Sequence, residues 1–440
     1  VQHAIRGSLV VTLVSLAVAV SGESVSAQKA ATTPAPTSSR SDETDARTER
    51  ETETTEPREE GRLKGLARRV SAFASPTRGN ETGLSASAGI IVAGSGLAGG
   101  AGYRRLNVAG SGLDVELDAR LSVRMYQDYR AAIGLLGARS TTLELDTADS
   151  KFTSLFNTTE QKAPGSSLYI DVRFRDYPQH TYYGTGIGAL EDNRSDYALS
   201  GMSVEGVWQR QVTAALGVSA RGGWMDLGVG PGQNDSILDV DDRFPPSAVP
   251  GATEQPGFVT FGAAVAHDTR TLPGAPADGR FLGFAARRYS AMNSPELSFT
   301  RLTADARAYR QWPSTRGVIA VRGLVSADLT RDNASTPFYL QQSLGGGDTL
   351  RGFHSYRFPD QALAHATVEY RWRAHRYVEL VPFYDVGTVA PGLSHLSLSA
   401  LKASPGIGFR ARNDRRSFAR LDWAWSAEGQ RVTLGIGPAF

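Results

Sequence analysis

Asp, His, Ser and Gly are the residue types here that could do chemistry, and their spacing restricts what that chemistry could be. Gly94-Ser95-Gly96-Leu97-Ala98-Gly99 spells a dinucleotide fingerprint after an apolar stretch, with Asp114 a suitable distance on. That fingerprint needs a helix N-terminus to hold the pyrophosphate. Gly100, Gly102 and a strand from Tyr103 follow instead, so the segment reads as a glycine-rich hairpin. Asp235, Asp239, Asp241 and Asp242 are carboxylates of the kind that bind calcium. The twelve-residue calcium pattern fails: its Gly is missing and Pro250 stands where the closing Glu belongs. A solvated acidic loop is the simpler reading. The seven His include no i, i+4 pair and there is no Cys. No metal site is expected, and thiol catalysis, iron–sulfur clusters and disulfides are excluded. Nothing local marks a Ser/His/acid set. The chain reads as a non-enzyme without cofactor.

The elements that would position any site follow from the pattern of the whole chain. Its 440 residues carry 47 basic and 45 acidic side chains, a net charge of +2, which leaves no nucleic-acid footprint. Mean hydropathy is −0.27, and no run approaches eighteen apolar residues, so a polytopic helical membrane protein is excluded. From Gly83 onward the apolar residues recur every second position. Val115, Leu117, Ala119, Leu121 and Val123 share one face of 114–124, and Glu116, Asp118 and Arg120 share the other. Residues 361–373 repeat this with Val368, Tyr370 and Trp372 against His365, Thr367, Glu369 and Arg371. The last strand continues it, with Val432, Leu434, Ile436, Pro438 and Phe440 on the apolar face. Such strands span about ten to thirteen residues, longer than the usual five or six.

One apolar and one charged face over that length suits a transmembrane barrel with a polar lumen and no free edge. No helical period supplies the covering layer that a soluble half-exposed sheet would need. The expected fold is therefore all-β: an antiparallel transmembrane barrel over 83–440 with about sixteen strands. They begin near 84, 97, 112, 130, 167, 195, 211, 256, 278, 296, 315, 361, 376, 402, 416 and 429. Long connections near 178–194, 229–255 and 331–360 then lie on one side and short turns on the other. The 148–166 connection is too long for that rule.

The amino terminus reads as an address. Arg6, an apolar stretch from Leu9 to Val20 and Val25-Ser26-Ala27 have the anatomy of a signal peptide over 1–27. Residues 28–80 read as a disordered periplasmic linker; Gln28 to Glu60 holds nine acids and five bases. Within it, Leu63, Leu66, Val70 and Phe73 fall on one face of a short basic amphipathic helix over 61–75.

Two carboxylates stand out by parity. Asp385 alternates with Leu380, Pro382, Tyr384 and Val386, and Asp422 alternates with Leu421, Trp423 and Trp425. Both should face the lumen, as should Glu369. The ordered motifs around them resemble the BamA/TamA-type outer-membrane assembly-factor superfamily, also called the bacterial surface antigen family. Leu344-Gly345-Gly346-Gly347-Asp348-Thr349-Leu350-Arg351-Gly352-Phe353 is similar to its Gly-Gly plus Arg-Gly-aromatic loop. Val368-Glu369-Tyr370-Arg371 and Phe383-Tyr384-Asp385-Val386-Gly387 follow in the family's order. Asp268-Thr269-Arg270 with Pro276 and Gly279 resembles its periplasmic turn, and the terminal Phe440 resembles its insertion signal.

The resemblance implies a sixteen-strand barrel whose loop after strand eleven folds inward, with Arg351 contacting the acids of the inner wall. It also implies that the first strand (84–92) pairs with the last (432–440) at a seam able to open, and that the Arg351 loop sets whether the lumen is open. Members that insert or export proteins carry periplasmic POTRA domains; residues 28–80 are too few and too polar to fold one, so a barrel-only member is expected. The implied role is protein insertion or translocation at the outer membrane of a Gram-negative-type cell. The implied partners are outer-membrane lipid, the barrel assembly machinery for the chain's own insertion, and a client protein. A passive channel for small polar solutes and a structural surface antigen are the competing readings.

Overall fold

The computed structural model describes residues 82–136 and 165–440, apart from 235, 273, 333, 413–416, 436 and 438. The expected signal peptide, linker and 61–75 helix, most of the 148–166 connection, Asp235, Ile436 and Pro438 lie outside the described residues.

Strands dominate. In chain order they are β1 (Gly83–Gly89), β2 (Ala98–Arg105), β3 (Asp114–Ser122), β4 (Gln127–Leu135), β5 (Gly165–Tyr182), β6 (Ser195–Gln211), β7 (Leu216–Gly230), β8 (Phe258–Asp268) and β9 (Gly279–Ala291). There follow β10 (Phe299–Gln311), β11 (Gly317–Thr330), the short β12 (Gln342–Leu344) and β13 (Phe358–Asp360), then β14 (Ala362–His375), β15 (Val378–Ala390), β16 (Lys402–Arg412), β17 (Ser417–Ser426) and β18 (Gly429–Gly435). Sixteen of them form one sheet in chain order, antiparallel throughout. β12 and β13 pair with each other inside the loop that joins β11 to β14. Every other sheet strand returns beside its predecessor, so the topology is a nearly closed up-and-down barrel.

Burial along the strands is inverted relative to a soluble sheet. On β8, Val259, Phe261 and Val265 are exposed, while Thr260 is buried between them. On β14, Val368 and Trp372 face outward and Thr367, Glu369 and Arg371 are buried. Leu421, Trp423 and Trp425 stand outside β17, with Asp422 and Ala424 buried between them. Water outside would reverse this arrangement; hydrocarbon outside stabilises it. The enclosed charges are paired with one another, along strands and across the lumen wall. Arg301 on β10 holds Asp328 on β11 through two bonds of 2.7 and 2.8 Å. Asp305 takes both Arg307 and Arg322, Glu205 takes Arg287, and Asp171 takes Arg130.

The structure departs from the sequence pattern in three places. Strand length is not uniform: β5, β6 and β7 run 18, 17 and 15 residues, whereas β1 and β18 have 7 each. The long strands carry an apolar cluster that includes Tyr177, Tyr182 and Tyr197, with Phe338 and Tyr339 from the 331–361 loop packed on it. Among the described residues no ladder pairs β1 with β18, where the sequence pattern leads one to expect a hydrogen-bonded seam. Phe440, expected on the apolar face, is buried instead. The terminal ring packs against Tyr309 of β10 with centroids 6.0 Å apart. The guanidinium of Arg371 lies 4.9 Å from the same ring. The would-be dinucleotide motif at 94–99 spans the end of the β1–β2 connection and the start of β2. Ser95 Oγ accepts from the Ile91 and Val92 amides there.

Candidate functional site

The 331–361 loop lies between β11 and β14, and its tip is built by glycines. Gly345 and Gly346 have φ of +112° and +88°, a region that favours Gly. A Cβ on Gly345 would sit 2.1 Å from the His354 carbonyl oxygen, and one on Gly346 would sit 2.7 Å from Ser355 Oγ. The two segments of the tip therefore pass closer than any side chain allows. Leu350 and Phe353 are buried in a cluster with Leu344, Phe358, Leu363 and Val389, so the tip is packed against β14 and β15.

That packing delivers Arg351 to the polar face of those strands. Its Nε donates to Asp385 Oδ2 at 2.9 Å and its Nη2 to Asp385 Oδ1 at 2.7 Å. Nη1 donates to Glu369 Oε1 at 2.7 Å, and Nη2 also reaches Thr367 Oγ1 at 3.2 Å. The backbone amide of Arg351 adds a bond to Asp385 at 3.2 Å. The guanidinium lies 3.4 Å from the centroid of the Phe383 ring. A planar fork of donors matches this set; a Lys ammonium would supply only a point charge. Arg351 is 2% exposed and Asp385 is fully buried. A buried charge of this kind is tolerated because every partner is also satisfied.

Asp422, grouped with these acids by parity, is close but not hydrogen-bonded to Arg351: Nη1 to Oδ1 is 3.7 Å. Arg410 takes it instead at 2.6 Å. Glu369 is shared, with Oε2 accepting from Arg371 at 2.8 Å and Arg410 Nη2 standing 3.5 Å from Oε1. The next residue, Gly352, donates its amide to Ser404 Oγ at 2.6 Å, and its carbonyl accepts from Ser426 at 2.9 Å. A Cβ there would meet the Trp425 carbonyl oxygen at 2.5 Å. The tip thus touches β14, β15, β16 and β17 at once.

A second set of ties holds the loop nearer its base. Arg357 donates to Glu428 at 3.1 Å and to the Ala189 carbonyl at 2.7 Å. Its guanidinium lies 4.8 Å from the Tyr183 ring and 4.6 Å from the Phe358 ring. His354 Nε2 stands 3.2 Å from Glu191. Burial, reinforced by Arg431, pushes the His354 imidazole down to about 4. Burial pushes the Asp360 carboxyl up to about 6.

The Asp268 turn is a separate unit at the opposite ends of the strands. Arg270 donates from Nε and Nη2 to Asp268, both at 3.0 Å, and from its amide at 2.9 Å. Gly279 has φ of +100°, and a Cβ there would lie 2.4 Å from the Thr269 carbonyl. Phe440 is distant in sequence from both motifs and packs near this end, against Val318, Ala320 and Ala277. The structure therefore brings together Gly345, Gly346, Leu350, Arg351, Gly352, Phe353, Glu369 and Asp385, with Asp422 at the margin. It leaves Asp268, Arg270 and Gly279 elsewhere. Thr367, Ser404 and Ser426 join the loop's contacts without a motif to announce them, Phe383 does so from within the quoted motif, and Arg410 joins the charged set through Asp422 and Glu369. Among the described residues no group of three or more His, Asp or Glu forms a metal site.

A sixteen-stranded barrel with an apolar exterior, ion-paired interior and arginine-anchored loop defines a transmembrane β-barrel of the outer-membrane class. The chain belongs to the Omp85 superfamily: the model of the Omp85 superfamily domain matches residues 107–440. Its fold is similar to BamA from Haemophilus ducreyi lacking POTRA domains 1–3, with 14% identity and a TM-score of 0.56 over 85% of this chain and 76% of that one. It is also similar to CdiB from Escherichia coli, with 12% identity and a TM-score of 0.50 over 81% of this chain and 63% of that one. Comparison with curated proteins finds no significant match.

Proposed function

We propose that this outer-membrane barrel inserts or translocates a client protein, using the edges of β1 and β18 as an openable wall and the Arg351 loop as the element that sets lumen access. Family membership supports the general role. The observation that carries the reading is the pair of short end strands, seven residues each, with no ladder between them among the described residues. A closed barrel has no free edge, whereas an unpaired strand presents amides and carbonyls that another chain can satisfy. β1 is also rich in Gly and Ser, which weakens its own pairing. The amino-terminal segment would lie in the periplasm, and the chain would itself depend on the barrel assembly machinery for insertion.

The absence of native Cys gives a clean test. Ser85→Cys and Thr433→Cys place one thiol on each end strand, to be joined by a short cleavable bis-maleimide. Proteoliposomes then receive a urea-unfolded eight-stranded barrel, and its insertion is followed by heat-modified gel mobility. The protein should accelerate insertion, the crosslink should abolish the acceleration, and cleavage should restore it. Acceleration that survives a complete crosslink would refute the openable wall. No acceleration, together with a steady large conductance, would favour the passive channel.

A further inference from the structure

The end of the barrel that carries the short turns holds a cavity that the loop mechanism does not use. Arg371, Arg373, Glu379, Arg410, Arg412 and Ser417 supply its polar lining, and its volume is about 20 Å³. That is room for a body the size of one water or a small ion. Buried donors there make no hydrogen bond within the protein: Arg371 Nη2, Arg373 Nε, Arg410 Nη2 and Ser417 Oγ. Unmade bonds to buried donors are costly, so a cluster of them around one space calls for an acceptor.

The charge balance has the same sign. Arg351, Arg371, Arg410, Arg412 and Arg420 are linked to Asp348, Glu369, Glu379, Asp385 and Asp422, five cations to five anions. Among the described residues no carboxylate pairs with Arg373. Among the described residues the local excess is one positive charge beside a space for one small body. Neutral water would satisfy the donors but not the charge. The lining comes from strands β11, β14, β15, β16 and β17 and from the Ala275-Pro276-Ala277 turn, so the donors sit on sheet strands.

We propose that Arg371, Arg373, Arg410 and Ser417 form a site for one small monovalent anion, a chloride ion or a carboxylate end. A bound anion ties β14, β16 and β17 to one another beside the turn between β8 and β9, next to the buried Phe440 ring. It therefore stiffens the turn end of the wall.

The test is thermal unfolding of the full chain in detergent, with chloride or acetate replacing gluconate at constant ionic strength. The unfolding temperature should rise saturably with chloride, acetate or both, and which of them acts identifies the source of the charge. Arg373→Gln removes the excess charge and a charge-assisted bond, so half-saturation should move by about tenfold or more. Ser417→Ala removes one neutral donor and should shift it less. If Arg373→Gln does not assemble, Ser417→Ala carries the comparison. An equal response in wild type and the assembled variants, or no dependence on the anion's identity, would overturn the proposal.

Discussion

Arg351→Ala should unlatch the 331–361 loop. The side chain makes charge-assisted bonds to two carboxylates and lies over the Phe383 ring. Breaking a buried ion pair by deleting one partner costs on the order of 3–5 kcal/mol, because the other charge stays buried. Here the loss is divided unevenly. Glu369 keeps Arg371 at 2.8 Å, whereas Asp385 keeps only the Thr367 hydroxyl at 2.6 Å and a backbone amide. The low end of the range applies, about 3 kcal/mol, which shifts a seated-to-unseated ratio by roughly a hundredfold. Planar-bilayer recording reads that ratio directly. Wild type should show small, quiet conductance; Arg351→Ala should show frequent large openings; deletion of 345–356 should be open most of the time. Arg351→Ala with Asp385→Asn should open less than Arg351→Ala alone, since the unpaired charge is gone. Equal conductance in all four proteins would refute the argument, and so would a double variant that opens as often as the single.

The remaining predictions concern the loop's fit, its titration and the opposite turn. Gly352→Ala places a Cβ 2.5 Å from the Trp425 carbonyl, so it should raise open probability with an unseating cost of about 1–3 kcal/mol, read by the same recordings. Asp360, raised to about 6, binds its proton more tightly in the folded loop, so its contribution is full below about pH 4 and falls as pH rises through 6. His354, lowered to about 4, contributes above its ordinary value and loses that contribution as pH falls from about 6.5 to 4. Asp360→Asn should therefore leave openings that increase only towards acid, and His354→Gln openings that increase only towards neutrality; identical pH profiles would contradict both assignments. Gly279→Ala strains a left-handed position against the Thr269 carbonyl, so it should slow the appearance of the heat-modifiable folded form in a refolding assay while leaving the conductance of the folded fraction unchanged.

Alternation made most of the barrel legible. A strand with one face in hydrocarbon and one in a charged lumen must repeat every two residues, and that period survives any sequence drift. Asp385 and Glu369 followed from it, as did the exposed Trp423 and Trp425. The start of β7 is five residues later than alternation places it, because Val212 to Ala215 form a turn closed by the Val212 amide on the Leu216 carbonyl. Small apolar residues serve either purpose. Parity also puts Thr367 and Phe383 on the inner face, but it does not say that a loop will reach them. Ser404 and Ser426 were silent for the same reason: their bonds to Gly352 join segments 52 and 74 residues apart. Asp422 has the right parity, yet Arg410 is nearer than Arg351, and period alone cannot rank two guanidiniums. Phe440 misled because parity alone cannot foresee an aromatic contact with a distant strand, here the one with Tyr309 of β10.

The buried position of Phe440 bears on how the barrel is made. A terminal aromatic that serves as a handle must be accessible to whatever grasps it. In the finished wall the ring is enclosed by Tyr309, Arg371 and Val318. Were that ring a recognition element, recognition through it would be confined to the interval before closure, and folding itself would withdraw it. Newly made chains and completed barrels would be told apart by a single residue, with no proofreading step beyond the fold.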